Sequence, residues 1–407
     1  MKRLRKRMLS ILLVLAMAFS LMPSTALAVA EVDGWDEMNT HQLEEVTVTE
    51  YRKTFDIDGY KQDRYMLVIS PVQRSDGELP DYEANSERPW DKNAELVSAI
   101  YIEDGVTEIG NHNFADMPLL ETVTVEDSSD LTRIGDSAFA NDRYLTISEK
   151  DDGERVLSLP NVTEIGEQAF LNCTSMGSNE ASLVLGSQLV SVGKQAFYDT
   201  NISNITFTDL AEGTTLTIGE NAFAHNDIES ITLPEGLTEI GNSAFAYNRF
   251  TGSLVIPDSV TSIGDNAFFV SSDNKNQTLT ELTLGKSLEH VGQSAFRNYM
   301  KLATVNVLTT NTTLMLDNYA FGHDQSDAYW TDKVIDGQNY YVGADFKIVG
   351  EGLSEDEQNT ILDAFDNGVN CYLGSISPLR LVKTEEPTCL TNGTHTYKYS
   401  LTVGTGN

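Results

Sequence analysis

The chain has 407 residues, with 27 Lys and Arg against 61 Asp and Glu and a formal net charge of −34. That length allows one large domain or two to three ordinary ones, and 40% hydrophobic residues are enough for a core. A surface this acidic repels polyphosphates and anionic lipid, so nucleic acid is not expected as a partner.

The first 30 residues read as a secretory signal peptide. "MKRLRKR" is basic, "ILLVLAMAFSLM" is apolar, and the small residues before Ala28 and Ala30 offer cleavage sites. Cleavage would remove five basic residues and leave 22 against 61, a net charge of −39. No other stretch is long and apolar enough to span a bilayer. The expected location is therefore secreted or cell-surface, with no membrane insertion after cleavage.

Residues 31–98 carry two alternating segments, "EVTVTEYRKTFDI" and "YMLVISP", that predict strands. This stretch is expected to be an N-terminal β cap. Tyr82 and Trp90 are read as core or cap residues rather than a platform for sugars.

Between residues 99 and 321 one string returns. It is "IGNHNF" at Ile109, "IGDSAF" at Ile134, "IGEQAF" at Ile165, "VGKQAF" at Val192 and "IGENAF" at Ile218. It goes on as "IGNSAF" at Ile240, "IGDNAF" at Ile263, "VGQSAF" at Val291 and a degenerate "LDNYAF" at Leu316. The same five-position step leads from the aliphatic residue to the phenylalanine, and the copies start 22 to 31 residues apart. Periods of this size signal a solenoid. Upstream of the string lies an apolar-x-apolar strand, as at Leu157, Leu183, Ile231, Leu254 and Leu282, often closed by Pro or Gly. The glycine permits a sharp bend or close backbone approach. The following turn is expected to drop its phenylalanine inward, so that rings of neighbouring coils cover one another. The predicted ladder is Phe114, Phe139, Phe170, Phe197, Phe223, Phe245, Phe268, Phe296 and Phe321.

Units such as "LPEGLTEIGNSAFAYN" and "IPDSVTSIGDNAFF" resemble the BspA-like (treponemal-type) leucine-rich repeats of bacterial secreted and surface proteins. That family reads roughly as a strand, a proline and then "VTxIGxxAFxxC". The resemblance covers about residues 99–321 and implies a mainly β leucine-rich-repeat solenoid of about nine coils. Its trailing cysteine is placed at Asn141, Asn172 or Asn298 in three units and at Asp199 in another. "GELPDY", "RPW" and "VSAIYIEDGVTEIG" resemble the family's lead-in module.

After Phe321 the pattern stops. "NYYVGADFKIVG" predicts strands, and "SEDEQNTILDAFDNG" predicts a helix with Ser354 and Glu357 as a capping box. Residues 322–383 are read as a small C-terminal α/β cap or appendage. Residues 384–407, with Cys389, Gly393 and Tyr397, resemble part of a bacterial extracellular module or form a tail. The chain is read as ending in mid-module.

Chemistry is sparse. The sequence lacks HExxH, GxSxG, P-loop and GxGxxG patterns, and its six histidines are isolated. "DIDG" at Asp56 and "DQSD" at Asp324 lack the full spacing of a calcium loop. Cys173 is read as a buried apolar group, and pairing of Cys371 with Cys389 stays open. No cofactor, metal or catalytic residue is expected. The outward side of the strands offers Tyr101, Thr124, Ser158, Thr206, Ser230, Thr232, Glu281, Thr283, Thr304 and Asn306. Small hydrogen-bonding side chains there suit a protein-binding face, although threonine is also simply a good exposed strand residue. Insertions after Phe139, Phe170 and Phe268 could add to one edge. The expected function is a secreted or cell-surface scaffold that binds a protein or host-surface ligand without catalysis. The alternatives are the targeting region of a larger extracellular enzyme and a structural envelope component.

Overall fold

The computed structural model describes residues 34–321 apart from 58–59, 73–75, 84–86, 126–129, 148–152, 272–277, 300 and 318. Beyond 321 it describes the backbone of strands between 331 and 404 and part of one helix. The signal segment, "DQSD" at Asp324 and Cys371 lie outside the described residues, as does much of the insertions after Phe139 and Phe268.

Three strands open the fold as an antiparallel meander, Asp36–Gln42, Val46–Ile57 and Tyr60–Pro71. Val97–Ile102 and Thr122–Val125 then add to it in parallel. Val46, Val48, Leu67, Ile69, Ile100 and Ile102 are buried, so the meander shares one core with the first coils. Trp90 is fully buried, and its Nε1 donates to the Asn113 carbonyl at 3.1 Å. Arg88 Nη1 lies 3.0 Å from each of the carbonyl oxygens of His112, Asn113 and Ala115. The first turn thus finds its partners in the cap.

The aliphatic residue that opens each string, with its neighbour, forms a short strand. Nine of these, from Glu108–Ile109 to Met315–Leu316, make one unbroken parallel sheet. The sequence reading treated this position only as the approach to a bend. At its glycines adjacent coils approach closely: a Cβ on Gly135 would sit 2.6 Å from the carbonyl carbon of Gly110.

The upstream strands pair less continuously. Val156–Leu159, Ser182–Leu185 and Asn204–Phe207 form one parallel group, and Thr251–Val255, Thr278–Leu284 and Thr304–Val307 another. Between them Ile231–Leu233 joins no ladder, contrary to the strand expected there. This coil is the shortest, 22 residues from Ile218 to Ile240, and its alternation survives only in burial, with Thr232 exposed and Leu233 buried.

The turn after each glycine is a third set of bonds between coils. The residue before the Ala-Phe (or Asn-Phe) pair has positive φ in all nine copies, from 51° at Ser137 to 62° at Tyr319. Such a left-handed residue costs an L-amino acid roughly 1–2 kcal/mol. The cost is offset because its amide now faces the next coil. Ser137 N–H donates to the Glu167 carbonyl at 2.7 Å and Gln195 N–H to that of Glu220 at 2.8 Å. The phenylalanine amides do likewise, Phe223 to Ala244 at 2.7 Å. The turn turns its ring inward as expected. From Phe114 to Phe321 successive ring centroids are 5.1–5.4 Å apart. Every ladder ring is at most 4% exposed. Trp90 stacks on Phe114 at 5.9 Å and so occupies the ring site of a preceding coil.

At the other end Thr304–Val307 pairs in parallel with Gln338–Glu351, which pairs antiparallel with Thr394–Gly404 and Thr331–Ile335. Leu379–Cys389 completes the sheet, a single strand that runs through position 384. Ser354 and Glu357 form the expected capping box, with Oγ of Ser354 donating to Glu357 Oε2 at 2.7 Å and Glu357 N–H donating to Ser354 Oγ at 3.3 Å. Ile361 on that helix is fully buried.

Candidate binding surfaces

The outward column follows from strand alternation. With Leu183, Leu185, Ile205 and Phe207 held in the core, the residues between them must face out. Register then aligns them: Ser158, Val184 and Thr206 sit side by side, as do Val255, Thr283 and Asn306, and Tyr101 sits beside Thr124. Thr124, Ser158, Thr206, Ser230, Thr232 and Glu281 are exposed, whereas Tyr101, Thr283, Thr304 and Asn306 are half-buried. Two causes of the half-burial are visible. Asn306 Nδ2 donates to Glu281 Oε1 at 2.7 Å and to Thr283 Oγ1 at 3.3 Å. Tyr101 packs with Tyr51 and Phe55 on a small outer cluster of Trp35, Met66, Val68 and Ala99. The column therefore begins under an apolar cover and continues as hydroxyls. Because Thr122–Val125 and Val156–Leu159 belong to different sheets and Ile231–Leu233 joins none, it falls into separate stretches rather than one face.

A second column lies inside. The third residue after the ladder phenylalanine is Met117, Asp142, Cys173, Thr200, Asn226, Asn248 or Tyr299 in seven coils, all buried, and the half-buried Ser271 after Phe268. This is the place of the family's cysteine. The assignment to Asn141, Asn172, Asn298 and Asp199 was one residue early, because those four occupy a left-handed turn position instead, with φ of 56–72°. Several polar members of this column satisfy backbone of the coil before. Cys173 Sγ donates to the Phe139 carbonyl at 3.0 Å, Asn226 Nδ2 to that of Phe197 at 2.7 Å and Asn248 Nδ2 to that of Phe223 at 2.8 Å. Asp142 Oδ1 accepts from Met117 N–H at 2.7 Å, while its Oδ2 has no partner. Burial pushes the Asp142 carboxyl well above the usual carboxylate range, and burial together with Asp142 pushes the Cys173 thiol up. A buried, protonated thiol is inert as a nucleophile.

The turns also carry an external row that sequence reasoning did not find. Tyr198 and His225 lie 4.9 Å apart, His225 and Tyr247 stack at 4.3 Å, and Tyr247 meets Phe269 edge-on at 5.4 Å. Tyr247 is 45% exposed. Burial lowers the His225 pKa and raises that of Tyr198, so both side chains are neutral near pH 7. The row escaped notice because it is drawn from the first residue after the ladder phenylalanine at Tyr198 and Phe269 but from the second at His225 and Tyr247.

Among the described residues one carboxylate group could converge on a cation: Glu45, Asp76 and Glu78 have ligand oxygens within 4.8 Å of one another. Repulsion from Glu108 is the main reason that the Glu78 pKa is raised. No helix among the described residues is long and apolar enough to cross a membrane.

Coils of 22–31 residues, a continuous parallel sheet and an internal phenylalanine ladder define a leucine-rich-repeat solenoid. A profile of the BspA type leucine-rich repeat region matches in six copies, over residues 92–210, 154–275 and 191–326. The chain belongs to the BspA-type leucine-rich repeat family. Similar solved structures include a leucine-rich repeat protein from Eubacterium ventriosum, 21% identical over 70% of this chain and 80% of that one, with a TM-score of 0.36. A leucine-rich cell surface protein from Faecalibacterium prausnitzii is 15% identical over 71% and 89%, at 0.34. The pneumococcal vaccine antigen PcpA is 13% identical over 83% and 98%, at 0.27. At such TM-scores the likeness says nothing of what this chain does. No curated protein matches the chain.

Proposed function

We propose that this protein is a secreted or surface-held scaffold that binds other proteins or a host surface and performs no catalysis. The observation that carries the reading is the outward column. Ser158 and Thr206 are exposed on strands that both pair with Ser182–Leu185, and Thr232 is exposed in the segment between the paired groups. Such side chains are already ordered, so a partner meets them with little further loss of conformational entropy. The basic-then-apolar segment of the first 30 residues supports export. The test is capture of proteins from epithelial, matrix and bacterial-surface extracts by the intact chain and by Thr232→Lys and Thr283→Lys variants. Capture that falls in the variants supports the column as the contact face, and unchanged capture discards that face. Turnover of peptides, glycans or esters by the purified protein would overturn the non-catalytic reading.

A further inference from the structure

The row Tyr198, His225, Tyr247 and Phe269 is not needed by the fold. The first residue after the ladder phenylalanine is alanine in four coils, at Ala115, Ala140, Ala224 and Ala246. The second is Asn or Asp in five, including Asn141 and Asn172. Those coils close with the same left-handed turn and the same bonds to the next coil. Four adjacent coils nevertheless place aromatic rings there, in contact with one another and reachable from solvent. The rings hold each other in place, so a partner need not order them.

The coils that carry the row are acidic overall, and the next base beyond them in this position is Arg297, after Phe296. Residues 194–270 contain two bases, Lys194 and Arg249, against ten acids, which gives −8 with His neutral. Both bases are engaged in ion pairs, Lys194 with Glu220 at 3.1 Å and Arg249 with Asp227 at 2.8 Å. Asp199, next to Tyr198, has no ion pair among the described residues. Aromatic rings in a negative field attract cations, and the flat guanidinium more than the compact ammonium. The chain itself does this one coil further on, where Arg297 lies 5.4 Å from the centre of the Tyr319 ring.

We propose that this row is the contact strip for a basic, arginine-bearing segment of a protein partner. This inference deepens the scaffold reading and rests on it, but it names a surface other than the strand column.

The test uses the full chain and two labelled peptides of equal charge, nine arginines and nine lysines, titrated at about 0.15 M salt so that diffuse attraction is screened. Tyr247 and His225 have φ of 59°, like Asn172 at 61°, so a His225→Asn, Tyr247→Asn double variant keeps a residue suited to the turn. An unchanged melting temperature checks its fold, and Phe269→Ala serves as a second variant should it melt early. The expected result is roughly tenfold tighter binding of the arginine peptide than of the lysine peptide. That preference should vanish in either variant, while Glu164→Gln, outside the row, should change affinity less than about twofold. Equal affinity for both peptides, no binding, or a preference that survives the variants would overturn the proposal. Capture of extract proteins that persists in the double variant would sink this strip alone. Absence of capture by the intact chain would sink the scaffold reading.

Discussion

Thr200 and Asn226 occupy the same position in consecutive coils and share a fully internal hydrogen bond, Thr200 Oγ1 to Asn226 Oδ1, at 2.8 Å. The same oxygen accepts the amides of Thr200 at 3.1 Å and Ile202 at 3.2 Å, while Nδ2 donates to the Phe197 carbonyl at 2.7 Å. One side chain thus satisfies four groups of the coil before it. Each buried group left alone costs roughly 1–3 kcal/mol, and the losses overlap. Asn226→Ala is therefore expected to lower unfolding stability by about 3–5 kcal/mol. Urea unfolding checks it, and a loss under about 1 kcal/mol would show that water replaces the amide without penalty.

Asp142 fills the same column with a less suitable group. Its folded pKa lies above the unfolded one because burial disfavours the carboxylate. The stability it contributes is full below the unfolded value and is lost as pH rises through the folded value. Asp142→Asn keeps the acceptor for Met117 N–H and supplies a donor like that of Asn226 or Asn248. The variant should match the parent at pH 4 and exceed it by about 1–3 kcal/mol at pH 7. Comparing the two chains at each pH cancels the effect of the other acids. An advantage that does not grow with pH would contradict the assignment.

What could be read in advance was what repeats as a residue type. The ladder phenylalanines share one letter and one spacing, so Phe114 to Phe321 were found without coordinates. The column of Asp142, Cys173, Thr200 and Asn226 shares a place but not a letter, since carboxyl, thiol, hydroxyl and amide can each bond to a group of an adjacent coil. Alignment to the family's cysteine therefore slipped by one residue. The nine-stranded sheet was missed because strands of two to four residues are too short to show a period. Tyr101 was legible as outward-facing, but the cluster that covers it includes Trp35, 66 residues earlier, and answers to no local pattern. The break at Ile231–Leu233 was hidden for the opposite reason, since its alternation looks like that of its paired neighbours.

The glycine column tests the spacing between coils. Gly135 has no room for a methyl group: its Cβ would lie 2.6 Å from Gly110 C and 2.7 Å from Asn111 N. Those atoms are backbone of the turn directly after the Glu108–Ile109 strand and cannot move singly. Gly135→Ala is expected to cost about 3 kcal/mol, at the upper end for overpacking. At Gly153 a Cβ would meet nothing within 4 Å, but its φ of 86° makes alanine strained, which costs roughly 1–2 kcal/mol. Melting temperatures of the two variants separate these causes. Were Gly153→Ala the more damaging, backbone strain rather than the close approach of coils would govern the repeat.

Phe245 tests whether stability passes from coil to coil. Its ring lies between Phe223 at 5.4 Å and Phe268 at 5.2 Å and is fully buried. Phe245→Ala removes both contacts and leaves a void, a loss of roughly 3–5 kcal/mol. In a solenoid each coil is stabilised mainly by its neighbours, so the loss should not stay local. Amide exchange should quicken in the coils of Phe223 and Phe268 as well as in that of Phe245, most where Phe223 N–H meets the Ala244 carbonyl and Phe245 N–H that of Ala267. Coils near Phe114, far along the stack, should keep their protection. Exchange that quickens equally throughout would mean that the solenoid opens as one unit, and exchange confined to a single coil would mean that the ladder does not transmit stability between neighbours.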